Sequence, residues 1–114
     1  MLQLSKLFRS KKIVPEVLIA LIGRIPDKLE VEIHTSKDGG YFAEIRNLPG
    51  CITQAESGQE LFEMVNDAVY TYFDVPTEYF PYMPVFLPPE RIREKMEIRI
   101  PNEFLDKNLA FQRI

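Results

Sequence analysis

Residues 38–73 read DGGYFAEIRNLPGCITQAESGQELFEMVNDAVYTYF, and this stretch decides the fold. Tyr41-Phe42-Ala43-Glu44-Ile45-Arg46 has the two-residue period of a strand, which places Tyr41, Ala43 and Ile45 on one face. Asn47-Leu48-Pro49-Gly50 then forms a bend, because Pro fixes φ and Gly relieves the crowding of a sharp reversal. Cys51 to Ala55 is a short strand. Ser57 follows as a helix cap, with Glu60 placed to reach back to the Ser57 amide in a capping box worth about 1 kcal/mol. Leu61, Met64, Val65, Ala68, Val69, Tyr72 and Phe73 recur at steps of three and four, while Glu63, Asn66, Asp67 and Thr71 take the other face. The spacing predicts an amphipathic helix that stops at Asp74-Val75-Pro76, since a residue before proline is pushed out of the α region.

Upstream, Leu29, Val31 and Ile33 alternate with Glu30, Glu32 and His34, which predicts a strand with one face on a core. Ser36-Lys37-Asp38-Gly39-Gly40 supplies the turn of an antiparallel hairpin. Pro15 suits the first turn of a helix closed by Gly23 and Pro26. That helix is apolar nearly all round, so it must pack on the sheet or on another subunit. Leu2, Leu4, Leu7 and Phe8 suggest a further short amphipathic turn or helix.

Downstream, residues 76–89 hold five prolines and four aromatics, Tyr79, Phe80, Tyr82 and Phe86, the mark of an extended, irregular connection. Its aromatics are expected to tuck into the domain's own core rather than to serve as a Pro-rich ligand. Met96, Ile98 and Ile100 alternate with Glu97 and Arg99, which predicts a fourth strand over Lys95–Ile100. Pro101-Asn102-Glu103 opens a terminal helix with Phe104, Leu105, Leu109, Ala110 and Phe111 facing inward. The expected fold is therefore α+β, an antiparallel sheet of three to four strands packed on one main helix. A helical extension over 1–28 precedes one α+β domain over 29–114, with the connection at 76–89 and a terminal strand and helix over 95–114.

A chain of 114 residues, 46% hydrophobic and 27% charged, fits one globular domain. One cysteine allows no internal disulfide and suits a reducing compartment, so the cytoplasm is the expected location. The apolar run Val17–Ile22 is too short to cross a bilayer and is followed by no cleavage site, so no membrane association is expected. The net charge of −3 is unevenly spread: residues 1–28 hold six basic against two acidic side chains, and the remainder eight against fifteen. An acidic body disfavours phosphate binding and favours a basic protein partner.

The inventory for catalysis is thin, and no catalytic residue, cofactor or metal is expected. His34 is the single histidine and Cys51 the single cysteine, too few for a zinc site. A Cys51–His34 pair is geometrically possible across neighbouring strands, but nothing near Cys51 lowers a thiol pKa and a buried cysteine usually acts as a small hydrophobe. Glu32 and Glu44 can meet on the exposed sheet face as two-metal nuclease chemistry would need. Arg46 and His34 on the same face favour a salt-bridged surface instead. Met96–Leu105 has the form of the strand and helix entry of a ribbon-helix-helix repressor, although the second helix of that motif is not found before Ile114.

Asp38-Gly39-Gly40-Tyr41-Phe42-Ala43, Leu48-Pro49-Gly50-Cys51, Ser57 to Glu60 and Asn66-Asp67-Ala68, in that order, resemble the HicB family of antitoxins over residues 29–75. The chain departs from the family pattern at Ala55, where Gly is common, and at Leu61, where Ala is common. The resemblance implies a partly formed ribonuclease H-like fold without nuclease activity. It further implies a non-enzymatic interaction module that neutralises a small basic mRNA-cleaving toxin of the HicA type. Glu30, Glu32, Glu44, Glu63 and Asp67 are the candidate partner contacts, and self-association through the apolar N-terminal helix is expected. The alternative is a nucleic-acid-binding regulator that uses residues 96–105.

Overall fold

The computed structural model describes residues 12–100. Strands β1 (Val31–Thr35), β2 (Tyr41–Ile45) and β3 (Ile52–Ala55) form one antiparallel sheet in the order β1-β2-β3. Helix α1 (Pro15–Arg24) precedes the sheet, and α2 (Gly58–Tyr72) follows it. A 3-10 helix over Thr77–Tyr82 and the short α3 (Glu90–Lys95) complete the described elements. The architecture is the expected α+β one, with α2 packed on β2 and β3.

Local chemistry explains each reversal. Gly39, at φ 99°, closes the β1–β2 turn, where Ser36 N–H donates to the Gly40 carbonyl at 2.7 Å. Gly50, at φ 82°, does the same in the β2–β3 bend, and Cys51 N–H donates to the Leu48 carbonyl at 3.0 Å. Ser57 caps α2 through its Oγ, which accepts from Glu60 N–H at 3.1 Å. Glu60 reaches one residue further back than the expected capping box, accepting from Glu56 N–H at 3.0 Å. Ala43, Ile45, Leu61 and Val69 are almost wholly buried between sheet and helix, each large side chain contributing roughly 1.5–3 kcal/mol.

Helix α2 ends at Tyr72 with Phe73 as its cap, immediately before the expected stop at Asp74-Val75-Pro76. Asp74 adopts the left-handed conformation at φ 58°, and Val75 N–H donates to the Tyr70 carbonyl at 2.9 Å. This is a Schellman ending, with proline two residues after the left-handed residue. Helix α3 ends in the same way: Glu97 lies at φ 57°, and Ile98 N–H donates to the Arg93 carbonyl at 2.8 Å.

That second ending overturns the fourth strand expected over Lys95–Ile100. Residues 90–95 are helical, the left-handed Glu97 turns the chain, and no strand forms among residues 96–100. The alternation of Met96, Ile98 and Ile100 reflects instead a chain laid against the start of α2. Met96 meets Gly58 there, and the Gln59 side chain pairs with the Arg99 backbone, accepting from its N–H at 2.7 Å and donating to its carbonyl at 3.2 Å.

The 76–89 connection packs three of its four aromatics inward, as expected: Tyr79 is buried and Phe80 and Phe86 are half-buried, whereas Tyr82 is 56% exposed. Met83 is also buried, and Tyr70 on α2 donates through its hydroxyl to the Pro84 carbonyl at 2.7 Å. Tyr79 also accepts from Val14 N–H at 3.0 Å, tying the entry of α1 to this segment. Leu21 and Ile25 anchor α1 in the core, whereas Ile19 is 70% exposed. Asn66 is buried rather than outward: its carboxamide closes against the backbone of Phe86. Leu2, Leu4, Leu7 and Phe8, and the expected terminal helix from Pro101, lie outside the described residues.

Candidate functional site

Antiparallel register sets the outward sheet face. Glu32 on β1 is the cross-strand partner of Glu44 on β2, and His34 is that of Phe42. Ala43 and Ile45 point into the core, so Glu44, Glu32 and His34 point away from it. Two carboxylates directly opposite each other repel, and the face sets the Arg46 guanidinium against one of them. Arg46 forms an ion pair with one oxygen of Glu32, and His34 Nε2 lies 2.8 Å from the other. The His34 ring stacks on Phe42 with centroids 4.6 Å apart and planes 15° from parallel. The Arg46 hydrogen bond, with smaller help from the charges of Arg46 and His34, holds the Glu32 carboxyl below its ordinary value.

Glu32, His34 and Glu44 each offer a ligand atom, all within 4.8 Å of one another. Those residue types can hold a divalent cation. An ion at this place would have to displace the Arg46 guanidinium and the His34 ring from Glu32, whose two oxygens they already occupy. The sequence reading of a salt-bridged face is the one the geometry matches.

The five candidate contacts divide into two groups. Glu30, exposed just before β1, joins Glu32 and Glu44 on the sheet side, where its N–H donates to Asn47 Oδ1 at 2.9 Å. Glu63 and Asp67 are exposed on α2, on the other side of the two-layer fold. Partial burial raises the Asp67 pKa, and burial followed by the nearby Asp67 charge raises that of Tyr70. No single flat partner covers both groups.

Cys51 and His34 do not form a pair. Cys51 lies under α2 at 6% exposure, its Sγ 4.0 Å from the Ala68 carbonyl oxygen, and burial pushes the thiol pKa up. His34 is on the opposite face of the sheet. A raised pKa leaves little thiolate at neutral pH, the reverse of what a nucleophile needs.

The stacking of Phe42 on His34 was not legible as a site feature, because Phe42 alternates with core residues and read simply as part of a strand. Also unforeseen is the exposure of the inner face of β1. Val31 and Ile33 are each 37% exposed, since α2 crosses β2 and β3 and leaves β1 uncovered.

Over 48 residues the chain is 42% identical to a UPF0150 protein of Archaeoglobus fulgidus, a match that spans 42% of this chain and 70% of the relative. No protein-family model and no solved structure matches the chain. Among the described residues, no helix is long and apolar enough to cross a membrane.

Proposed function

Because this chain belongs to the UPF0150 family, and because residues 29–75 carry the HicB pattern, we propose that it is a HicB-like, antitoxin-type interaction module. It binds a small basic mRNA-cleaving protein of the HicA type and covers the surface that protein uses on RNA. It performs no catalysis of its own and acts in the cytoplasm.

The observation that carries the reading is the UPF0150 match, taken with a sheet-and-helix scaffold on which the HicB-like turns, bend and cap are all structural. Electrostatics supports it, since residues 29–114 hold fifteen acidic against eight basic side chains, and complementary charge steers association. The sheet-side group offers the better docking face. Glu44 is two residues from Phe42 on the same face, beside the Phe42–His34 stack, which supplies flat apolar area, and Glu30 lies just before β1 against Arg46 and Asn47. The exposed apolar positions of α1, Val17 and Ile19, support self-association of the module.

Co-expression of the full chain with a HicA-type toxin tests the proposal. It should restore growth, suppress mRNA cleavage and yield a complex that persists through size exclusion. Charge reversal at Glu30 and Glu44 should weaken the complex, and reversal at Glu63 and Asp67 should leave it nearly unchanged. Undiminished mRNA cleavage with no complex at equimolar protein rejects the antitoxin role. The converse mutational pattern moves the interface to α2.

A further inference from the structure

β1 lies at the edge of the sheet, and the phase of its ladder fixes which of its backbone groups face outward. Ser36 N–H donates to the Gly40 carbonyl and Arg46 N–H to the Glu30 carbonyl, each at 2.7 Å. Glu30 and Ser36 are therefore hydrogen-bonded partners of the neighbouring strand, and antiparallel alternation gives Glu32 and His34 the same role. The N–H and carbonyl groups of Val31, Ile33 and Thr35 point the other way, where no strand pairs with them among the described residues. Val31 and Ile33 are also each 37% exposed, and β1 contains no proline or lysine of the kind that blunts an edge.

We propose that a second copy of this chain occupies that edge, its β1 antiparallel to the first about a two-fold axis through Ile33, so that two three-stranded sheets become one. The strand is complementary to itself in this register. Only odd-numbered residues can exchange hydrogen bonds across the edge, so the axis must pass through a residue rather than between two. An axis through Glu32 would set two carboxylates face to face, which repels. An axis through His34 would leave Val31 opposite Lys37, beyond the end of the strand. With Ile33 on the axis, all five residues of β1 are paired. Ile33 meets Ile33, Val31 meets Thr35, and each of these pairs exchanges both N–H···O bonds.

Side chains agree with the backbone. Glu32 of one copy falls directly opposite His34 of the other, in the non-hydrogen-bonded kind of pair whose side chains approach most closely. Arg46 and the His34 of its own chain take one site on each Glu32 oxygen, and a carboxylate offers about four. On the inner face the half-exposed Ile33 side chains cover each other. The outward sheet face stays accessible, and the pairing neither requires a toxin nor uses the exposed side of α1.

The test is a disulfide scan of the full-length chain under oxidised glutathione, with the wild type as control for Cys51. Ile33→Cys should give a covalent dimer, because the two Cα atoms would lie roughly 5.5 Å apart, within disulfide reach. Val31→Cys alone should not, since its copy would lie roughly 13 Å along the strand at about 3.3 Å per residue, but mixed with Thr35→Cys it should give the mixed dimer. An Ile33→Cys chain that stays monomeric assigns the edge to something other than a second copy, and Val31→Cys dimers forming as readily would deny the register. Either result overturns the proposal.

Native mass supplies an independent reading. Because the Ile33 N–H does not serve the β1–β2 ladder, Ile33→Pro removes an edge donor while sparing that ladder. Light scattering should show its native mass halved relative to the wild type, whereas Ile19→Glu on α1 should leave the Ile33→Cys disulfide forming. An unchanged mass in folded Ile33→Pro also overturns the proposal. Neither readout involves a toxin, so the antitoxin reading stands or falls separately.

Discussion

Asn66 and Phe86 close on each other through two hydrogen bonds: Phe86 N–H donates to Asn66 Oδ1 at 2.7 Å, and Asn66 Nδ2 donates to the Phe86 carbonyl at 3.2 Å. Asn66 Nδ2 also reaches the Phe62 carbonyl at 3.0 Å, so a buried carboxamide is fully engaged. Gln59 holds Arg99 by the same reciprocal pairing, and Asn47 bridges the Lys28 carbonyl and the Glu30 N–H. Three carboxamides thus take the place of ladder hydrogen bonds where irregular chain meets regular structure.

Asn66→Ala leaves the Phe86 N–H and carbonyl without their partner. Unmet polar groups cost about 1–3 kcal/mol, and the urea midpoint is expected to fall by a corresponding amount with the slope unchanged. Asn66→Asp should be worse, because it sets a carboxylate against the Phe62 and Phe86 carbonyls. A midpoint unaltered in both variants would show that the clamp contributes nothing.

Gly58 sits at the start of α2 with the Met96 backbone against it, and an added Cβ would lie within 2.9 Å of Met96 Cβ and closer still to its carbonyl oxygen. In an open helix Gly→Ala gains about 1 kcal/mol. Here the sign should reverse, with a net loss of roughly 1–3 kcal/mol from forced displacement. Equilibrium unfolding reads the sign directly, and hydrogen exchange should place the disturbance at residues 96–99.

Glu97→Gly should act in the opposite direction. A side chain in the left-handed region costs roughly 1–2 kcal/mol, partly offset by the greater unfolded-state freedom of glycine. A gain of up to about 1 kcal/mol is expected from the unfolding midpoint, without loss of the Schellman ending.

The Arg46–Glu32 pair predicts a pH dependence of definite sign. The folded-state pKa of Glu32 lies below its ordinary value of 4.5, so its stabilising contribution is present above 4.5 and is lost as pH falls through the lowered value. Carboxyl NMR titration should give a Glu32 midpoint below 4.5, and Arg46→Ala should move it upward. A midpoint indifferent to Arg46 would mean that the pair does not persist in solution.

Cys51 should be unreactive in the folded protein. Burial raises its pKa and closes off access, so an aromatic disulfide reagent is expected to label it only through unfolding, at a rate that climbs with urea. Rapid stoichiometric labelling in native buffer would contradict the buried position.

Much of the fold was legible because its signals are local. Gly39, Gly50 and Ser57 dictate conformations at their own positions, and the apolar spacing of Leu61, Val65 and Val69 needs only the helical period to be read. Residues 95–100 misled for the same reason: alternation of Met96, Ile98 and Ile100 is a strand signal only if another strand is available to pair. Asn66 misled because a polar residue looks outward until a backbone segment twenty positions away is known to need its carboxamide. The candidate contacts were readable as exposed acids, but their division between the two sides of the fold depends on how the helix lies on the sheet.

The sequence by itself determined the order β-β-β-α, the turns and caps, and the charge of the body, since each follows from residues within a few positions of one another. Only the tertiary structure decided that α2 covers β2 and β3 while leaving β1 open, that Arg46 pairs with Glu32 beside His34, and that Gln59 holds the backbone of Arg99 against the start of α2. Those outcomes depend on which of several compatible packings buries the most apolar surface while pairing every buried polar group, and that is a property of the whole chain.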